Sequence, residues 1–254
     1  MVHRTEGGVD RLADERPRSV GEGAEPGVPG ADDRRPPSRQ PVFPRTVLSS
    51  ESFDRISPAG GRKLSEERAV VIGVSGASGA PIAVRVVEAL RAAKVPVALV
   101  VSDGARAVLR EESGMEASAL AARADHVYED SDLAAPIASG SVPTRGMAIV
   151  PASVNTVAKV ALGISDSLLL RSAQVHLKER RKLVVVPRET PVSAIHLRHL
   201  ATLAELGVVV LPASPPYYTH PTSVADQTDY LAGKVLDQFD VPHALYRRWK
   251  GGQL

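Results

Sequence analysis

Residues 69–82 read Ala-Val-Val-Ile-Gly-Val-Ser-Gly-Ala-Ser-Gly-Ala-Pro-Ile. An apolar run without alternation comes first, then a Gly/Ser turn, then the opening of a helix. A strand that does not alternate is buried on both faces, which parallel sheets require. Behind the turn, Ile82, Val86 and Leu90 recur at helical spacing. Pro81 suits a first helical turn, where its missing N–H has no intrahelical partner to lose. This stretch therefore spells one strand–turn–helix unit.

The unit repeats down the chain. Residues 95–101, 147–150, 183–186 and 208–211 are further apolar runs, and 124–128 reads as a small edge strand. The third main strand is expected to end at Pro151, and Pro187 closes the next. Helices are expected over 81–93, 104–112, 153–161, 166–180, 191–205 and 224–239, with Gly207 stopping the fifth and Ser223 and Asp226 capping the last. The alternation predicts one α/β domain over 67–254. Its sheet is doubly wound and mostly parallel, in a Rossmann-like or flavodoxin-like three-layer sandwich.

The segment before it differs in kind. Residues 1–68 hold eight Pro, eight Gly, 12 basic and 12 acidic residues. They lack the apolar area to offset a chain entropy of about 1–2 kcal/mol per residue, so residues 1–66 are expected to be a disordered extension. No apolar h-region marks a secretory signal.

Composition narrows the chemistry. With 31 basic and 29 acidic residues among 254, net charge is only +2, and no nucleic-acid partner follows from it. The chain has no Cys, which removes disulfides, thiolate metal sites and a thiol nucleophile, and fits a reducing cytoplasm. No run approaches the roughly 18 apolar residues of a membrane span. No His-Glu-x-x-His or similar cluster occurs, so no metal is expected. His176, His196 and His199 fall on expected helices at no ligand spacing and read as surface or capping residues.

In doubly wound sheets, ligands sit beyond the carboxyl ends of the strands. The loops expected there are Ser75–Gly79, Ser102–Gly104, Pro151–Thr156, Pro187–Pro191 and Pro212–Tyr218. The first is the best phosphate candidate. Its small residues let backbone N–H groups approach an anion, and the helix N-terminus adds about half a positive charge. Its Gly73-x-x-Gly76-x-x-Gly79 spacing departs from both the Walker A and the dinucleotide patterns. Arg171 and Lys178 are seven apart and share one helix face.

Six motifs in order resemble the UbiX-type flavin prenyltransferases, a flavoprotein family that includes the phenylacrylic acid decarboxylase-associated proteins. They are Val-Ser-Gly-Ala-Ser-Gly at 74–79, Ser-Gly-Ser at 139–141, Pro-x-Ser-x-Asn-Thr at 151–156, Leu-Lys-Glu-Arg-Arg at 177–181, Val-Pro-Arg-Glu-Thr-Pro at 186–191 and Pro-x-Tyr-Tyr-x-x-Pro at 215–221. The resemblance implies transfer of a dimethylallyl group from dimethylallyl phosphate to N5 and C6 of reduced FMN. The product, prenylated FMN, would serve a separate UbiD-type decarboxylase. It also implies a metal-independent, cytoplasmic homo-oligomer, typically a dodecamer. Carried over by motif, Gly76, Ala77, Ser78, Ser102, Ser153, Val154, Asn155, Thr156 and Arg188 would hold FMN. Tyr218 and Lys234 would bind the prenyl phosphate. Glu112 (with Glu111 beside it), Arg171, Lys178 and Glu189 would be the charged catalytic groups.

Two departures stand out: Val142 replaces a frequent aromatic residue, and Ala152 a common cysteine. Two other readings compete. A flavin-dependent cysteine-type decarboxylase shares Pro-Ala-Ser-x-Asn-Thr but needs a histidine that 137–141 lacks. An NAD(P)-binding oxidoreductase would use the glycine loop and Asp103, yet the Tyr-x-x-x-Lys pair of short-chain dehydrogenases is absent.

Overall fold

In the computed structural model, the described residues are 68–249. The chain divides into units 1–49 and 50–254, and all described residues belong to the second. The extension expected over 1–66 lies outside them.

The elements run β1 (Val70–Val74), α1 (Ala80–Ala92), β2 (Val97–Val101), α2 (Asp103–Ser113), α3 (Ala117–Ala121), β3 (His126–Glu129), a 3-10 turn (Pro136–Ala138), β4 (Gly146–Ala152), α4 (Val154–Ala161), α5 (Leu168–Lys178), β5 (Leu183–Pro187), α6 (Ala194–Glu205), β6 (Val209–Val210) and α7 (Val224–Gln238). The strands form one six-stranded sheet in the order β3-β2-β1-β4-β5-β6. Every pairing is parallel. The strand order reverses between β1 and β4, which makes their carboxyl ends the place where a ligand cleft opens.

The non-alternating strands are buried on both faces, as their composition requires. Val70, Ile72 and Val74 pack with α1 and α7 on one side, while Ala69 and Val71 pack with α4 and α5 on the other. Each fully buried Val or Ile contributes about 1.5–3 kcal/mol, so this strand is the core's axis. The two helical layers thus share one sheet, and the site can be fixed only at the sheet's ends.

Element boundaries moved by a few residues. β4 runs past Pro151 to Ala152, with a register shift between Ile149 and Ala152. α6 starts at Ala194 and not at 191, because Ser193 and His196 form a capping box ahead of it. The short α3 and the 3-10 turn went unpredicted. β6 pairs through Val209 and Val210 alone.

His176 corrects the expectation that it is a surface or capping residue. It is fully buried. Its Nδ1 donates to the Ser172 carbonyl at 2.7 Å, so Nε2 accepts from the Thr144 hydroxyl at 2.8 Å. Burial pushes the imidazole down to about 4, and Arg181 acts in the same direction against the pull of the Ser172 carbonyl. His196 does cap, its Nδ1 accepting from Ser193 N at 3.2 Å.

Candidate active site

Ser75 ties the two halves of the cleft together. Its side chain is buried where β1 ends. The hydroxyl donates to the Pro151 carbonyl at 3.0 Å and accepts from Ser153 N at 2.8 Å. The loop after β1 is thereby locked to the loop after β4. Ser75 opens the loop expected to cradle a phosphate, yet its hydroxyl is spent on the scaffold.

The N-termini of α1, α2 and α4 all point at this cleft, since each follows a strand that ends there. Ser102 caps α2, accepting from Ala105 N at 3.3 Å. Ser153 caps α4, accepting from Thr156 N at 3.2 Å and lying 3.0 Å from the Thr156 hydroxyl. A capping hydroxyl that accepts an N–H keeps its own proton to donate, so both serines can still bond a ligand acceptor.

At α1 the structure corrects the expectation that its N-terminal N–H groups await a phosphate. The Glu112 carboxylate accepts from Gly79 N at 2.7 Å and Ala80 N at 2.9 Å. Burial works against its charge. Bonds from the Ser78 hydroxyl, Gly79 and Ala80, with the Arg188 guanidinium nearby, outweigh that and hold the carboxyl below its ordinary value. The physical reason is the helix dipole, which favours any anion at that end, and the protein supplies its own. These two bonds to the α1 N-terminus are what distinguish Glu112 from its neighbour Glu111. What remains for a ligand here is the loop backbone itself. A Cβ on Gly76 would lie 3.1 Å from the Gly104 carbonyl carbon, so the loops after β1 and β2 meet backbone to backbone. Only small residues allow that approach, and the cradle suits a phosphorylated ligand held by main-chain groups.

Beside the cradle, Arg188 reaches back to the Ser78 carbonyl at 3.4 Å. Past it opens a cavity of about 270 Å³ walled by Val154, Val157, Leu200 and Pro212, with Arg188 and Glu189 at its lip. Apolar walls with one charged pair suit a flat aromatic ring system such as a flavin. Asn155 is exposed, and Glu189 is exposed with one carboxylate oxygen accepting from Thr190 N at 3.1 Å. The wall from α6 (His196, Leu197, Leu200) was missed by the sequence reading. Its signal was the apolar stripe of that helix, which resembles ordinary packing.

The other cationic residues fall elsewhere. Arg171 donates from Nε to the Ala138 carbonyl at 3.1 Å. Lys178 lies seven residues, about 10 Å, further along α5. α5 runs antiparallel to the strands, so Lys178 sits towards their amino ends, where the Lys182 carbonyl accepts from Met147 N. There Lys178 pairs with Glu179 beneath the Ser139–Ser141 loop. A Cβ on Gly140 would lie 2.2 Å from the Glu179 carboxylate and 2.8 Å from Lys178 Nζ, which explains the glycine of the Ser-Gly-Ser motif. Arg181 fastens the same loop through the carbonyls of Gly140 and Val142. On the opposite helical layer, Tyr218 lies edge-on to Trp249 at 5.9 Å. Lys234 is 3.9 Å from Asp237. The residues assigned to the site fall into three groups: Glu112 at the α1 N-terminus with Arg188 and Glu189 at the end of β5; an Arg171–Lys178 stripe; and a Tyr218–Lys234 region. Among the described residues, no three His, Asp or Glu gather as metal ligands, and no helix is long and apolar enough to cross a membrane.

Comparison with known proteins shows the family. The family model described as Flavoprotein matches residues 60–247. The flavin prenyltransferase UbiX of Thermoplasma acidophilum is 47% identical over 180 residues, covering 71% of this chain and 99% of that one. The crystal structure of AnUbiX (PadA1) in complex with FMN and dimethylallyl pyrophosphate superposes with a TM-score of 0.72 at 40% identity, over 74% of this chain and 100% of that chain. A dodecameric FMN-dependent UbiX-like decarboxylase from Escherichia coli O157:H7 gives 0.71 at 42% identity, over 72% and 100%. By this family match and these identities over nearly the whole length of the relatives, the chain belongs to the UbiX-type flavin prenyltransferases.

Proposed function

We propose that the protein joins the dimethylallyl group of dimethylallyl phosphate to reduced FMN, at N5 and C6, and releases prenylated FMN for a separate UbiD-type decarboxylase in the cytoplasm. The observation that carries the reading is the cleft between β1 and β4. Its Gly76–Gly104 backbone contact and its capping serines lie at the carboxyl ends of the strands, and Arg188, which reaches the Ser78 carbonyl, also lines the apolar cavity beside β5. Reduced flavin supplies the nucleophilic nitrogen and ring carbon.

The chain's own residues do the rest. Gly76, Ala77 and Ser78 offer main-chain contacts to the flavin phosphate side. Ser102, Ser153 and Thr156 offer hydroxyls, and Val154 and Asn155 border the ring. Arg188 lies where negative charge on the reduced ring is stabilised. Ionisation of the donor breaks its C–O bond and leaves the electron pair on phosphate. Arg171, Lys178, Lys234 and the Tyr218 hydroxyl are the groups that stabilise that leaving charge without a metal ion. The proton displaced from N5 as the N5–C bond forms goes to the departing phosphate; Glu189 moves the other two, the one lost from C6 on closure being matched by one gained at the alkene carbon, so the net by-product is phosphate.

A homododecamer completes the reading. Lys178 lies at the end of α5 nearest the amino ends of the strands, so assembly is what would bring it to a neighbour's flavin. The test is anaerobic incubation of the protein with reduced FMN and dimethylallyl phosphate, followed by mass spectrometry of the extracted flavin. A flavin heavier by one C5 prenyl unit is expected, and unmodified FMN as the sole flavin would overturn the proposal.

A further inference from the structure

After α7 the chain turns back across the helix, and one carboxylate holds it there. Asp237 Oδ1 accepts from His243 Nε2 at 3.0 Å and Arg248 Nη2 at 2.6 Å, while Oδ2 accepts from the Tyr246 hydroxyl. The tautomer of His243 follows from its other nitrogen, which accepts from Leu245 N at 3.2 Å, so the proton is on Nε2 and faces Asp237. The His243 side chain is only 4% exposed. Aromatic packing reinforces the anchor. Tyr246 lies 4.8 Å from Tyr230 and 5.3 Å from His243, and the Arg248 guanidinium sits 5.3 Å over the Tyr246 ring. The segment fits because position 233 is glycine. A Cβ there would lie 2.6 Å from the Tyr246 ring and 2.7 Å from His243.

This anchor touches both residues assigned to the prenyl phosphate. One residue beyond Arg248, Trp249 meets Tyr218 edge to face. Lys234 is one helical turn before Asp237 and only 3.9 Å from it, at the limit of an ion pair. With three donors already on its two oxygens, Asp237 has little capacity left to capture that ammonium. Nothing in the reaction chemistry needs Asp237, His243 or Arg248 directly.

We infer that Asp237 is a positioning residue for the donor end of the site: it straps residues 243–249 over α7, sets Trp249 against Tyr218, and leaves Lys234 available to the donor phosphate. The inference rests on the prenyltransferase reading, because it is that reading which places the donor at Tyr218 and Lys234.

Trp249 is the chain's single tryptophan, so its emission reports the strap alone. In the full-length, FMN-loaded protein, Asp237→Asn should shift that emission to the red and raise its quenching by acrylamide. KM for dimethylallyl phosphate should rise about ten- to hundredfold, the range expected for losing charge-assisted hydrogen bonds, with FMN affinity unchanged. Asp237→Glu should recover part of both effects. If Asp237→Asn fails to fold, Arg248→Met and Trp249→Ala carry the test, since both side chains are more than half exposed. Each should raise donor KM while FMN affinity holds. Unchanged donor KM in the folded variants would overturn the inference, as would unchanged tryptophan emission in Asp237→Asn or Arg248→Met. Failure of the wild type to prenylate FMN would instead overturn the function, and the fluorescence would still report the strap.

Discussion

Replacing Ser75 by alanine should damage both fold and flavin binding, through two hydrogen bonds. The Ser75 hydroxyl is the only partner the structure gives to Ser153 N (2.8 Å), while Pro151 O loses one bond (3.0 Å) but keeps the Ser75 amide at 3.2 Å. Leaving the Ser153 N–H unpaired costs about 1–3 kcal/mol and the carbonyl bond about 0.5–1, so the loss is about 2–3 kcal/mol in all. For a chain of this size that lowers Tm by about 5–10 °C. Melting would be followed at one fixed protein concentration, because assembly raises apparent stability. FMN affinity should fall as well, since the loops after β1 and β4 are the two sides of the cleft. Ser153→Ala is the control: it removes a cap worth about 1 kcal/mol but leaves the bridge between the loops. A Ser75→Ala protein that melts within about 1 °C of wild type and binds FMN equally well would refute the reasoning.

Three further outcomes follow from the same geometry. Glu189→Gln, at the exposed lip of the cavity, should keep FMN yet lose most turnover; unchanged kcat would remove its role as proton carrier. His176 has a folded pKa depressed to about 4 from 6.5, so its neutral form contributes stability in full above about pH 6.5, and that contribution is lost as pH falls towards 4. The loss amounts to about 3 kcal/mol, and His176→Gln should flatten this limb of a stability–pH profile measured by denaturant titration. Deleting residues 1–65 should leave prenylation and oligomer mass unchanged, as measured by turnover and light scattering.

The sheet was legible because its strands are buried on both faces, and an apolar run such as 69–74 has no other soluble use. Boundaries slipped where the chain chose among local caps: Ser193 rather than Pro191 opened α6, and α3 had only Ala-Ser-Ala-Leu-Ala to announce it. The motif residues around the cleft were readable because small and hydroxylic side chains at strand ends have few packing uses. Long-range pairings were not. Nothing local says that Glu112 will close the N-terminus of α1, or that Asp237 will hold Tyr246 and Arg248. His176 was misread because a charge run follows it, although Ser172 one turn earlier satisfies its ring inside the core. The shared face of Arg171 and Lys178 was readable from their spacing. That Lys178 sits towards the amino ends of the strands follows from the antiparallel course of α5, which spacing does not convey.

The central claim is that the cleft joins one prenyl unit to the flavin at two atoms. The most direct measurement is proton NMR of the flavin isolated from the anaerobic reaction, after its mass has been fixed. The account predicts a gain of one C5 unit together with loss of the aromatic proton signal at C6. A product that keeps the C6 proton, or a flavin recovered without the added unit, would contradict it.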